Sequence, residues 1–183
     1  RTLDRGVAAL DREAQQAVVA AVHAFVVTQT RYLGLEFGIH GFKPYRVDQV
    51  LTRRFGDCKD KASLTHALLE AVGLDSRLVL LRMRRLGRLP EAPASLAVFN
   101  HAILHVPALD LWLDGTAAHT GTRELPAEDR GATVLVIDPD GPPRFGRTPE
   151  AGPDQNVTES SFEIALQPDG SARVEGDRKS TRL

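Results

Sequence analysis

The chain has 183 residues, 42% of them hydrophobic and 26% charged, enough apolar content for one main core and a smaller appended unit. Its formal net charge of −1 gives no general pull towards nucleic acid or an anionic membrane. The longest apolar runs fall far short of the ~20 residues that cross a bilayer. One cysteine excludes an intramolecular disulfide and a cysteine-rich zinc site, while leaving the compartment open.

The opening RTLDRG has neither an initiator methionine nor a signal-peptide pattern, as expected of a piece of a longer protein or of a processed start. Leu10, Ala14, Ala17, Val18, Ala21, Val22 and Phe25 then trace a stripe that predicts one long helix from about Asp11 to Val27. The β-branched residues after it favour a stop or an extended exit. His23 lies within this helix and reads as a partly exposed or hydrogen-bonded side chain. Tyr32 to Tyr45, YLGLEFGIHGFKPY, carries three glycines, a proline and several aromatics, the composition of a shaped loop. Val47 to Leu51 supplies one or two helical turns that lead into RRFGD.

The next stretch, RRFGDCKDKASLTHALLEAVG from Arg53 to Gly73, organises the rest. Asp57 is a good N-cap, with Asp60 three residues on in a weak form of the capping box. Leu64, Ala67, Leu68, Ala71 and Val72 recur at helical spacing, and Gly73 suits the position just past the end. Cys58 therefore opens a helix, where unpaired N–H groups and the positive end of the macrodipole favour a thiolate. Lys59 and Lys61 add positive charge, and the same N–H groups suit an oxyanion on a substrate carbonyl. A lone intracellular cysteine is most often a small buried hydrophobe. Such residues usually stand among apolar neighbours, whereas Cys58 is flanked by Asp57, Lys59, Asp60 and Lys61.

Beyond Gly73, RLVLLRMR from Arg77 to Arg84 reads as a strand, and the proline-containing Arg85 to Ser95 as a mobile connection or flap. LAVFNHAILHV (Leu96 to Val106) and DLWLD (Asp110 to Asp114) form an antiparallel hairpin across a short PAL link. With a link of two or three residues, opposed residue numbers add up to about 215 or 216, which sets His101 against Asp114 or Gly115. Cross-strand partners lie within about 5.5 Å, close enough for a carboxylate to hold an imidazole and leave its other nitrogen facing a thiolate. His105 and Asp110 are likewise opposed, nearer the turn, and periodicity alone does not choose between the pairs.

From Gly115 to Gly152 the chain is turn-rich, with Thr133 to Ile137 as a buried-type strand and His119 as a surface residue. Val157 to Gln167 and Ser171 to Glu175, joined by PDG, predict a β-hairpin that begins a second, all-β unit too short to close its own core. The closing DRKSTRL reads as foreign to the strand before it. The six histidines and single cysteine form neither a helical HExxH nor a Cys/His ligand cluster, so no metal or other cofactor is expected.

GDCKDKASLTHALLEAVG, followed by FNHAILHV and WLDGTA, resembles the transglutaminase-like superfamily of cysteine enzymes. The similarity is greatest to bacterial members with an extra β-rich domain in front, and RYLGLEFGIHGFKPYRVDQVLTRRFGDCKDK matches the approach to their nucleophile. It covers roughly Val7 to Pro149. The resemblance implies an α+β, papain-like core in which the nucleophile's helix packs on an antiparallel sheet, followed by the start of a C-terminal β unit. Residues 1–150 would then be the catalytic core and residues 151–183 the hairpin of a second domain. By the same likeness Cys58 is the nucleophile, His101 the base and then acid, and Asp114 the orienting carboxylate, which decides against His105 and Asp110. The implied reaction splits an amide of a protein or peptide through a thioester, resolved by water or by a second amine. Gln29 and Gln49 are upstream candidates for a further oxyanion donor. Inactive relatives exist, so a binding or scaffold module of the same fold is the alternative. The resemblance also implies flanking β domains in a longer bacterial protein, exported or membrane-associated, although no spanning segment lies within this chain and no nucleic-acid partner is expected.

Overall fold

Helix α1, Arg12–Gln29, starts where Asp11 accepts a hydrogen bond from the Ala14 N–H at 2.8 Å, satisfying one of the first-turn donors. It extends to Gln29 rather than Val27, with Thr28 Oγ1 donating to the Ala24 carbonyl at 2.7 Å. The computed structural model describes residues 6–91, 93–152 and 156–182, in two compact units, Arg1–Pro149 and Glu150–Leu183.

In the first unit the chain leaves α1 through the buried Thr30 into strand β1, Arg31–Tyr32. The loop that follows holds a 3-10 turn, Gly38–Gly41, and ends at helix α2, Val47–Arg53. Arg54 takes a left-handed conformation (φ 59°) to close α2, and strand β2, Phe55–Gly56, pairs in parallel with β1. Helix α3, Cys58–Ala71, follows at once, capped by Asp57 and closed by Gly73 at φ 82°, where a side chain would be strained.

The main sheet is antiparallel: β3 (Arg77–Arg82), β4 (His101–Val106), β5 (Leu111–Leu113), β6 (Thr133–Val136) and β7 (Arg144–Arg147), in the order β5-β4-β3-β6-β7. Leu104, Val106 and Leu113 pack with Val19 of α1 and Leu69 of α3. The alternate residues Val79, Leu81, Ile103, Val134 and Val136 meet Leu125 and Ala132. A third cluster, Val26, Val50 and Leu64, ties α1, α2 and α3 together. Each fully buried Leu or Val contributes about 1.5–3 kcal/mol, so these clusters fix where α3 begins relative to β4.

The strand start and the hairpin register both differ from the sequence expectation. The strand predicted from Leu96 begins only at His101; Leu96–Val98 is a 3-10 turn capped by Ser95, and Asn100 uses its side-chain oxygen to accept from the Met83 N–H at 2.9 Å. The stretch read as a flap is held at its base by the Arg82 guanidinium, which donates to the carbonyls of Leu86, Gly87 and Val98. The hairpin register also differs. Pro107–Leu109 forms a 3-10 turn and Asp110 turns left-handed (φ 52°), so residues 107–110 all belong to the link. Leu104 is opposite Leu113 and His105 opposite Trp112, so opposed numbers add up to 217.

In the second unit, strands β8 (Asn156–Leu166) and β9 (Ala172–Arg182) form a regular antiparallel hairpin. It is longer than expected: β9 runs on through Asp177 to Arg182, in ladder register with β8, so the backbone of DRKSTR continues the strand. Leu183 lies outside the described residues. The hairpin's apolar side chains Phe162, Ile164, Leu166 and Val174 are exposed.

Candidate active site

The start of α3 is fixed by carboxylates. Asp57 Oδ1 accepts from the Asp60 N–H at 3.1 Å while Asp60 Oδ2 accepts from the Asp57 N–H at 3.3 Å, a reciprocal capping box built from aspartates. Asp60 also accepts from the Tyr45 N–H (2.8 Å) and pairs with Arg53 (2.9 Å), so one buried side chain joins α2, the end of the Tyr32–Tyr45 loop and α3. Gly56 is needed beside it, because a Cβ there would lie 2.6 Å from the Asp60 Cβ. The Arg53 guanidinium lies over the Tyr45 ring at 4.1 Å, and His40 stacks on that ring at 3.6 Å, which closes the loop against the helix start.

Cys58, half-buried, is the first residue of α3. Of its two neighbouring cations, Lys59 is paired with Asp57. Lys61 is turned inward, with Nζ donating to the Thr30 carbonyl at 2.6 Å; burial lowers its pKa against an opposing pull from Asp114. Tyr32 also faces this end of the helix: burial, then the charges of Cys58 and Asp57, raise its pKa.

His101, the first residue of β4, is 7% exposed and Asp114 5%. Alternation groups His101 with Ile103 rather than with the helix-facing Leu104. Its Nε2 lies 3.2 Å from Asp114 Oδ2. Continuing the observed ladder sets Asp114 level with Ile103, on the face of His101 and two residues along, so a diagonal contact replaces the direct opposition. Asp114 is held from three sides: Oδ1 accepts from the Thr116 N–H (2.8 Å) and hydroxyl (2.7 Å), and its carbonyl accepts from His23 Nε2 (3.0 Å). The buried His23 is thus a hydrogen-bonded side chain, and it braces Asp114.

Burial lowers the pKa of His101, but the contacts with Asp114 and Cys58 outweigh it and raise the value to about 10. Burial pushes Asp114 up while His101 and Thr116 pull it down, and the net direction is down. The cluster therefore favours a charged imidazolium on an ionised carboxylate.

The rival pair is elsewhere. His105 Nε2 is 3.6 Å from Asp110 Oδ1, an exposed carboxylate near the hairpin turn, and its ring stacks on Trp112 at 4.1 Å. Burial lowers its pKa. His119 is exposed, and so are Gln29 and Gln49.

One acid escaped the sequence reading. Asp129, completely buried, has Oδ2 3.9 Å from His101 Nε2. It sits in AEDRG between two other charged residues, a pattern that reads as solvated loop; the only hint was the apolar bracket of Leu125 and Ala132, both core residues. Atoms of His101, Asp114 and Asp129 lie within 4.8 Å of one another, the one described cluster with spacing fit for a cation. A metal would need Nε2 without its proton, in competition with the imidazolium that Asp114 stabilises.

The fold and this cluster define a papain-like α+β protein with cysteine, imidazole and carboxylate gathered at the start of one helix. The chain belongs to the transglutaminase-like superfamily, whose family model matches residues 1–114. It is a cysteine-enzyme type of fold. Among solved structures, a protease candidate from Parabacteroides distasonis is similar with a TM-score of 0.56 and 19% identity, over 84% of this chain and 30% of that one. A cysteine protease candidate from Cytophaga hutchinsonii aligns with a TM-score of 0.41 and 15% identity, over 94% of this chain and 53% of that one. The chain thus spans about a third and about half of their lengths. No curated protein matches the sequence. Among the described residues no helix is long and apolar enough to cross a membrane.

Proposed function

We propose that this chain is the catalytic core of an enzyme that splits an amide bond of a protein or peptide through a thioester on Cys58. The observation that supports it most is the position of His101: its Nε2 lies 3.2 Å from the Asp114 carboxylate, and Asp114 and the Cys58 thiol together raise its pKa against burial. In this reading the sulfur attacks the amide carbonyl, forming a C–S bond. The resulting oxyanion is met by the Cys58 N–H at the first turn of α3, which has no carbonyl partner within the helix. His101 gives its proton to the departing amine as the C–N bond breaks. It then takes a proton from water or a second amine, which attacks the thioester and releases the thiol. Asp114 orients the ring and offsets its charge throughout. Residues 1–150 carry this chemistry, and residues 151–183 open a second β domain of a longer chain with flanking β domains.

Intact-mass measurement with glutamine peptides and small activated esters tests the reading. The expected result is an acyl adduct on Cys58 that disappears with water or an added primary amine and does not form in Cys58→Ala or His101→Ala. The faster of the two resolving steps separates hydrolysis from transfer. A folded protein that forms no adduct with any acyl donor would contradict the proposal in favour of a binding module.

A further inference from the structure

Asp129 is not idle loop. The segment that carries it is anchored on every side: the Glu128 carbonyl accepts from the Arg84 N–H at 2.8 Å, just past β3, and Glu128 Oε2 accepts from the Arg85 N–H at 3.0 Å. The Asp129 N–H bonds the Pro126 carbonyl at 2.9 Å, and the Asp129 carbonyl accepts from the Thr148 hydroxyl. Thr148 Oγ1 in turn accepts from the Ala132 N–H at 2.9 Å, and Leu125 is buried against Leu81 and Ile103. This frame delivers a carboxyl group with no exposure to the rear of His101. Among the described residues no N–H or hydroxyl donor reaches either oxygen of Asp129. Asp114, by contrast, has the two Thr116 donors and the closer contact with His101.

A buried carboxylate without donors is costly, whereas a protonated one can give its hydrogen to a neighbouring carboxylate. We propose, resting on the catalytic reading above, that Asp129 is a positioning residue: kept as the neutral acid, it donates a hydrogen bond to Asp114 and holds that carboxylate on His101 Nε2. The two carboxyls then carry one negative charge between them, matched to the single charge of the imidazolium. Burial raises the Asp129 pKa to about 7, with His101 opposing and Asp114 and Glu128 adding to the rise. The other charged and titratable groups at the cluster are Cys58, which faces His101, Lys61, which faces Asp114, and Tyr32, which faces Cys58 and Asp114. When Asp129 ionises, a second negative charge beside Nε2 stabilises the imidazolium and strengthens its hold on the proton of the other ring nitrogen, the one given to the amine, so acid catalysis falls.

Two readouts on the whole chain separate this idea from the triad itself. Infrared titration reads the protonated carboxyl directly; iodoacetamide alkylation against pH reads the Cys58–His101 pair. The wild type should show a buried-acid carbonyl band at pH 6 that fades around pH 7 and is missing from Asp129→Asn. Asp129→Asn, whose amide still donates to Asp114, should keep alkylation within about threefold of wild type and lose the inflection near neutrality. Asp129→Ala should slow it at least tenfold. An absent band, an unchanged inflection in Asp129→Asn, or wild-type alkylation in Asp129→Ala would each overturn the proposal, as would tight stoichiometric zinc held by His101, Asp114 and Asp129. If Asp129→Ala does not fold, the band and the Asp129→Asn profile decide. Alkylation that ignores His101→Ala would instead refute the triad, while the infrared band still reports on Asp129.

Discussion

Replacing Asp60 by alanine should destabilise the first unit heavily, although the residue takes no part in the proposed chemistry. Its carboxylate accepts from the Tyr45 N–H at 2.8 Å, the Arg53 guanidinium at 2.9 Å and the Asp57 N–H at 3.3 Å, and it is 2% exposed. Breaking a buried pair by removing one partner costs about 3–5 kcal/mol. The Arg53 side chain is 20% exposed and can recover some hydration, so the lower end, about 3 kcal/mol, is the expected loss. Asp60→Asn keeps one acceptor oxygen but not the charge, and should lose about 1–2 kcal/mol. Against a typical total of about 5–15 kcal/mol, the alanine variant should show a clear fall in urea midpoint by circular dichroism at pH 7. Arg53→Ala and the double variant complete a cycle that should give a coupling of at least about 1 kcal/mol. A loss below about 1 kcal/mol for Asp60→Ala would refute the view that this carboxylate fastens the loop and α2 to the helix start.

His101→Ala should abolish thioester formation, while His105→Ala should leave turnover within a few-fold and cost about 1 kcal/mol of stability through its stacking on Trp112, checked by turnover and thermal melts together. Asp129 also predicts a pH effect on stability. Its folded pKa is raised from 3.8 to about 7, so its contribution is fully present below 3.8 and lost as pH rises through about 7, at most about 4 kcal/mol. Asp129→Asn, which does not titrate, should therefore raise the melting temperature relative to wild type more at pH 8 than at pH 5; an equal shift at both values would contradict the neutral buried acid.

Much of the site was legible because it rests on local rules. The cap at Asp57, the periodicity of α3 and the closing Gly73 are near-neighbour chemistry, and they placed Cys58 at the helix start. The His101–Asp114 contact was found through an incorrect register: a link of two or three residues was assumed, whereas Pro107 to Asp110 all turn. The pair still meets because Asp114 falls on the same face, and diagonal neighbours remain within reach of an imidazole. Asp129 and the brace from His23 were not legible. Each depends on which distant segments pack together, a loop before β6 and the middle of α1, and no spacing rule connects them to His101 or Asp114. The extension of β9 through Arg182 was missed for another reason: its charged residues resemble a tail, yet in a ladder with β8 they serve as exposed strand positions.

The most direct test of the central claim is the alkylation rate of Cys58 at pH 6, where an ordinary thiol with a pKa of about 8.5 is only about 0.3% ionised. If Cys58, His101 and Asp114 act as one unit, wild-type protein should react with iodoacetamide at least tenfold faster than His101→Ala, with Asp114→Asn between them. Equal rates in the three folded proteins would contradict it.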